Sequence, residues 1–185
     1  PVNNTPAIST AIKSLRAGGN TNLWAGLKNA LDLANTIDTE KRNVAILILT
    51  DGESNYDPPR GIIPTFDSYI QSWNNGNLKY NIHTFAYGYS VDSSVLSYIA
   101  NKGHGIFGYI PDGTMVGTIF INAMSNILST VLPNLELNIT ANHNLLYRDS
   151  NIITNPDNIN SFYVGNVING QKRNILLEIG NRDRK

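Results

Sequence analysis

The chain contains no cysteine among its 185 residues, which excludes disulfides, thiolate metal ligands and a cysteine nucleophile. Lys plus Arg equals Asp plus Glu at 14 each, so no broad basic field exists to attract nucleic acid or anionic lipid. No apolar run approaches membrane-spanning length, and no signal peptide opens the sequence. We therefore expect neither a nucleic-acid partner nor a membrane segment, and a location that leans towards the cytoplasm.

Two catalytic motifs are also absent from the chain. A phosphate-transfer ATPase of the P-loop type requires G-x-x-x-x-G-K-[ST], whose loop and lysine hold the phosphates, and no such run occurs. A serine hydrolase requires the nucleophile elbow G-x-S-x-G, which is missing as well. The sequence therefore predicts that this chain is not an enzyme.

The most informative stretch is the aliphatic run Val44–Leu49, which Thr50, Asp51 and Gly52 follow directly. A short apolar run with polar ends is typical of a strand buried on both faces. Asp51 should then lie just beyond the carboxyl end of this strand, where open α/β sheets bind their ligands. The alternative is that Asp51 and Gly52 form only a turn, as Asp-Gly pairs often do. The pattern alone favours neither interpretation.

Helical and strand patterns alternate through the first two thirds of the chain, which predicts an α/β fold whose sheet is parallel. Thr21 or Asn22 is expected to cap the second helix, and from spacing alone capping is the simpler role for Thr21. Asp92 is expected to cap a later helix, and His83 to be a satisfied residue inside a strand. The helical stripes span 7–15, 23–34, 66–73, 95–100 and 116–131, and the strands span 44–49, 81–87 and 105–110.

The pattern changes at Pro133, which we interpret as a boundary between residues 1–132 and residues 133–185. Apolar and polar residues alternate around 135–140 and 175–179, and Asn169-Gly170 is a strong hairpin signal after a strand near 162–168. The second segment is therefore predicted to be a small antiparallel β region. Residues 148–160 are polar and are predicted to form a loop.

Several short motifs follow one another in a specific order and spacing, namely Gly19–Leu23, Gly26-Leu27, Ala30-Leu31, Ile46–Gly52, Phe85–Gly88, Leu96–Ala100 and Gly105–Phe107. Together they resemble the von Willebrand factor A domain over roughly Ala7–Leu132. The resemblance implies a partial doubly wound, Rossmann-like parallel sheet with flanking helices. Residues 133–185 are similar to the start of a β-rich, sandwich-like region in some intracellular relatives.

The resemblance also implies a metal-ion-dependent adhesion site, in which three loops at the carboxyl edge of the sheet hold a cation. Thr21 matches the family's threonine ligand, and Asp51 matches its aspartate ligand. Hydroxyl, carboxylate and water oxygens suit Mg²⁺ and also accept Ca²⁺ or Mn²⁺. A protein partner would complete the coordination with an acidic residue.

The family's third element, D-x-S-x-S, does not occur in this chain, and relatives carry it before the stretch that opens here. We therefore expect a truncated A domain that lacks its first strands, with Val44–Leu49 left at an edge of the sheet. A hydroxyl and a single carboxylate would bind Mg²⁺ weakly, so we expect no stably bound metal in this piece.

The sequence thus favours a non-catalytic protein-binding module whose divalent-cation site is incomplete in this fragment. One alternative is a metal-free scaffold that binds partners through its loops alone. A less favoured alternative is a hydrolase or ATPase whose motifs lie in the missing amino-terminal part.

Overall fold

A computed structural model describes residues 5–16, 18–37, 43–73, 78–140, 144–147, 152–154 and 159–180. None of the helices in these residues is long and apolar enough to cross a bilayer. The helices are α1 Thr5–Ser14, α2 Leu23–Ala34, α3 Ile62–Ser72, α4 Ser93–Lys102 and α5 Gly113–Ser129. The strands are β1 Ala45–Thr50, β2 Asn81–Tyr87, β3 Phe107–Ile110, β4 Thr130–Thr140, β5 Asn144–Tyr147, β6 Ile152–Thr154, β7 Ile159–Ile168 and β8 Leu177–Gly180.

The first three strands form one parallel sheet in the order β1-β2-β3. Leu47 of β1 lies opposite His83 of β2, and Thr84 lies opposite Phe107 of β3. Each crossover carries helices, as parallel strands require. The predicted α/β class is therefore confirmed.

Helices cover both faces of this sheet and bury two groups of side chains. On one face, α2, α3 and α4 pack around the central strand through Leu31, Phe66 and Ile99. On the other face, Ala123 of α5 packs against Phe85 of β2. Because β2 lies between two strands and two helical layers, its residues 81–86 are all buried. The main core is thus centred on β2.

Strand β1 is an edge of the sheet, as expected from the sequence. Only Ile46 of this strand is fully buried, and Leu49 is 59% exposed. The expectation of a strand buried on both faces is therefore wrong for β1, because the described helices cover its faces only in part: Leu47 is half-buried and Leu49 is exposed. Helix α1 likewise leaves its apolar stripe in solvent and buries no residue.

The remaining strands are antiparallel, which confirms a small antiparallel β segment after the α/β part. Strand β7 pairs with both β4 and β6, whereas β5 and β8 pair with each other. Helix α5 runs directly into β4, so Pro133, the predicted boundary, lies inside a strand.

Two details of this β region differ from the sequence prediction. The predicted loop 148–160 contains strand β6, while Arg148 and the Asn155-Pro156 pair lie outside the described residues. The turn at Asn169-Gly170 forms, with the Gln171 N–H donating to the Ile168 carbonyl at 3.0 Å. It does not join a two-stranded hairpin, because β8, the strand that follows the turn, pairs with β5 and not with β7.

Candidate functional site

Hydrogen bonds join the loop before α2 to the loop after β1. The Thr21 N–H donates to Asn55 Oδ1 at 2.8 Å, and the Thr21 carbonyl accepts from the Asn55 N–H at 2.8 Å. The same carbonyl accepts from the Tyr56 N–H at 3.3 Å, and Leu23 N–H donates to Ser54 Oγ at 3.4 Å. The structure therefore brings the Thr21 loop to the end of the sheet at which β1 terminates.

Asn22, and not Thr21, caps helix α2. Its side-chain oxygen accepts the Ala25 N–H at 2.9 Å, which satisfies one of the donors that a helix start leaves open. The capping role that spacing favoured for Thr21 is therefore wrong. The half-buried Thr21 makes no side-chain hydrogen bond to any other described residue, so its hydroxyl remains available as a ligand.

Asp51 directly follows the last residue of β1 and is exposed. The Thr50 hydroxyl organises the bend by donating to the Gly52 carbonyl at 3.0 Å and accepting the Gly52 N–H at 3.4 Å. Within the described part of the chain, the Asp51 carboxylate has no hydrogen bond and no ion pair. The two sequence interpretations are thus compatible, since Asp51 lies in a bend and still presents a free carboxylate.

A crevice of about 130 Å³ opens beside these loops, between the starts of α2, α3 and α4. Its lining includes the carboxylates of Glu53, Asp57 and Asp92 and the hydroxyls of Thr50 and Ser54, whereas the two predicted ligands are outside it. Sequence reasoning did not bring Asp57 and Asp92 together, because only the fold places their loops side by side.

Asp92 caps helix α4, and this role limits its use as a metal ligand. Its carboxylate accepts the N–H groups of Ser94 at 3.0 Å and Val95 at 3.2 Å, and also the Ser94 hydroxyl, so it is the predicted cap of α4. The hydrogen bond from the Ser94 side chain, followed by that from Val95, lowers the pKa of Asp92 below its usual 3.8.

Within the described residues, no group of three or more His, Cys, Asp or Glu side chains is arranged to hold a metal. Thr21 and Asp51 supply oxygen donors of the type that Mg²⁺ prefers. Two such donors are fewer than Mg²⁺ sites in proteins usually require without further carboxylates or phosphates. The hydroxyl and carboxylate oxygens are therefore suitable ligands for a cation, but two of them alone would bind it only weakly.

Comparison with solved structures identifies the fold. The chain is similar to a von Willebrand factor type A protein from Catenulispora acidiphila, with a TM-score of 0.66 and 18% identity over 86% of this chain. It is also similar to the ArnB paralog VWA2 from Sulfolobus acidocaldarius, with a TM-score of 0.48 and 20% identity over 86% of this chain. The chain spans 38% and 40% of those two chains. Neither a family model nor a curated protein matches it.

The parallel sheet, the helices on both of its faces and the first of these similarities define a fold of the von Willebrand factor A type. The fold implied by the sequence motifs is therefore confirmed. At 18% identity the similarity concerns the fold alone, and the activity and partners of the whole protein are matters for proposal.

Proposed function

We propose that this chain is part of a protein-binding module in which a divalent cation at the Thr21–Asp51 edge links the protein to an acidic residue of a partner. The proposal is supported by two oxygen donors without a described hydrogen-bond partner, which lie on two loops that hydrogen bonds join at one end of the sheet. The Thr21 hydroxyl does not cap α2, because Asn22 does so. The Asp51 carboxylate has no hydrogen-bond or ion-pair partner among the described residues.

In this proposal the protein contributes few ligands and the cation retains water. Mg²⁺ keeps several waters in most protein sites and is held by one or two carboxylates, so an open position for a partner's carboxylate is in keeping with its chemistry. The Thr21–Asn55 hydrogen bonds support the site because they fix the distance between the two ligand-bearing loops. The role is binding, and the cation transfers no group.

Calorimetric titration of Mg²⁺ into the full-length protein and its Asp51→Ala variant tests the assignment. We expect the substitution to weaken Mg²⁺ binding by at least about tenfold, because it removes the only carboxylate assigned to the cation. Asp57→Ala is the matched control, since Asp57 is an exposed carboxylate on the same loop. Equal Mg²⁺ affinity in the wild type and Asp51→Ala would refute the site, and ATP turnover would refute the binding-module proposal.

A metal-free binding module is the second candidate, and the crevice supports it. Glu53, Asp57 and Asp92 give this crevice a negative charge, which without a cation would repel an acidic partner and attract a basic one. Fluorescence anisotropy with labelled oligo-aspartate and oligo-lysine peptides, in Mg²⁺ and in EDTA, separates the two candidates. Binding of oligo-aspartate that requires Mg²⁺ supports the cation-linked module. Binding of oligo-lysine in EDTA supports the metal-free module.

A further inference from the structure

A second concave site lies at the opposite end of the sheet. A pocket of about 150 Å³ is lined by the residues that open β1 and β2, by the last turns of α5 and by strands of the β region. Since β1 and β2 are parallel, their first residues lie far from the Thr21–Asp51 edge, which follows the end of β1. The pocket is therefore separate from the proposed cation site. We call it the amino-edge pocket.

Side-chain amides hold the walls of the amino-edge pocket together. Asn43 Nδ2 donates to the Thr130 carbonyl at 3.3 Å, and Asn81 Nδ2 donates to Asn166 Oδ1 at 3.4 Å. The first bond joins the approach to β1 to the start of β4, and the second joins β2 to β7. The pocket is thus formed where the parallel sheet meets the antiparallel β region.

His83 brings a hydrogen-bond donor to this pocket. The residue is 3% exposed, and its Nδ1 accepts the Ile106 N–H at 3.1 Å. Burial lowers the pKa of His83, so the ring is neutral at pH 7 and its single proton must lie on Nε2. No described residue accepts this Nε2–H, and His83 lines the pocket. The imidazole N–H can therefore donate to a ligand in the pocket that accepts a hydrogen bond.

Arg173 is the charged member of the described pocket lining, and no Asp or Glu belongs to it. Its Nη2 donates to the Asn166 carbonyl at 3.1 Å, which anchors one side of the guanidinium and leaves its other N–H groups for a ligand. A planar guanidinium matches the two oxygens of a carboxylate. The rest of the wall is largely aliphatic, with Val44, Ile106, Ile127 and Ile168 among its members.

We propose that the amino-edge pocket binds a small organic acid, with its carboxylate on Arg173 and His83 and its short aliphatic body against the apolar wall. The volume fits this ligand class, because a cavity of about 150 Å³ accommodates a molecule the size of benzene, which has six heavy atoms. A four-carbon monocarboxylate has the same number. The proposal does not depend on the cation site, and either can fail without the other.

Titration of the full 185-residue chain with butyrate, followed by two-dimensional ¹H–¹⁵N NMR, tests this proposal. We expect saturable shifts of the amides of Ile106, Asn166 and Arg173. Butyramide has the same shape without the charge and should bind at least about tenfold more weakly, in line with the strength of charged hydrogen bonds. Butylammonium should not bind, since it places a cation beside Arg173.

Variants assign the binding to the named residues. Arg173→Gln should weaken butyrate binding at least about tenfold, and thermal melting checks that the loss of its hydrogen bond to the Asn166 carbonyl leaves the chain folded. Arg60→Gln is the matched control because Arg60 is exposed and bonds Ser68, away from the pocket. His83→Gln should weaken binding as well, with thermal melting as the check that β2 remains folded.

Three results would overturn the proposal. Butyramide binding as tightly as butyrate would make the pocket a mere apolar cavity. If inorganic phosphate bound the pocket as tightly as butyrate, the binding would reflect only a non-selective attraction of anions to Arg173. An absence of saturable butyrate binding in a wild-type chain that melts cooperatively would show that the pocket holds water alone.

Discussion

Thr21 and Asn55 exchange two hydrogen bonds, both 2.8 Å long, across the edge of the sheet. One of the two uses the Asn55 side chain, so it can be removed without changing the backbone. The pair fixes the loop that carries Thr21 against the loop that follows Asp51, and it is the geometric basis of the proposed site.

Asn55→Ala should release the Thr21 loop. We expect a loss of about 1 kcal/mol in the free energy of unfolding, the usual net contribution of one hydrogen bond, and faster amide exchange at Thr21. Asn55→Asp keeps an oxygen in the accepting position and should retain most of the protection. Hydrogen exchange measured by NMR compares the three proteins. Equal exchange at Thr21 in wild type and Asn55→Ala would contradict the role assigned to this bond.

The cap of α2 provides a second prediction. Asn22→Ala should lower the free energy of unfolding by about 1 kcal/mol, the typical cost of losing a helix N-cap. Thr21→Val removes only the hydroxyl and should change stability by less than about 0.5 kcal/mol, as substitutions outside such features do. Urea unfolding measures both. If Thr21→Val proved as costly as Asn22→Ala, the hydroxyl would be a structural group and no longer a free ligand.

Gly105 provides a third prediction because the backbone passes very close to β2 there. A Cβ at this position would lie 1.9 Å from the Ile82 carbonyl oxygen, so Gly105→Ala must displace the turn that leads into β3. We expect Gly105→Ala to lower the free energy of unfolding by about 3 kcal/mol, because overpacking forces the backbone to move. Gly117→Ala is the matched control, since it meets nothing within 4 Å and gains helix propensity. Thermal unfolding of both variants measures the difference in stability. If the two variants were equally stable, the close approach of Gly105 to β2 would be contradicted.

Acid should destabilise the protein through two histidines, the buried His83 and the exposed His104. Burial lowers the pKa of His83. Partial desolvation lowers the pKa of His104, where the charge of Glu136 opposes this shift and that of Lys102 adds to it. Below the usual pKa of 6.5 the unfolded chain therefore binds more protons than the folded one. The stability contributed by the neutral rings is present above pH 6.5 and falls as the pH drops towards the lowered values.

Urea unfolding between about pH 8 and pH 5 measures this fall in the free energy of unfolding. Histidine titrates within about this pH range. His83→Gln should reduce the slope of stability against pH, because it removes one of the two groups. A slope that His83→Gln leaves unchanged would show that burial of His83 does not carry the effect.

Much of the α/β part could be predicted from the sequence because its signals are local. The aliphatic run before Thr50 located β1, the mixed apolar and aromatic stretch 81–87 located β2, and Asp92 caps α4 as its spacing indicated. The exposure of Leu49 was not predictable from the residues of β1 alone, because burial depends on which strands and helices surround it.

The β region was predicted less well because its pairing is not local. The Asn169-Gly170 turn has the chemistry of a hairpin, but the strand that follows it, β8, pairs with the distant β5 and not with β7. Strand β6 has only three residues, too few for an alternating pattern to stand out. At the site, the family resemblance implied a ligand role for Thr21 and Asp51, which their residue types alone did not favour, and only the three-dimensional structure showed that Asn22 is the cap of α2.

We propose that Thr21 and Asp51 share one cation, and Mn²⁺ can map the position of that cation directly. Paramagnetic broadening of amide signals falls steeply with distance, so titrating Mn²⁺ into the ¹⁵N-labelled chain shows where even a weakly bound ion lies. We predict broadening strongest at residues 19–22 and 50–53, with Asp51→Asn removing it and Asp57→Asn preserving it. Broadening centred on Asp57 and Asp92, or unchanged in Asp51→Asn, would contradict the claim.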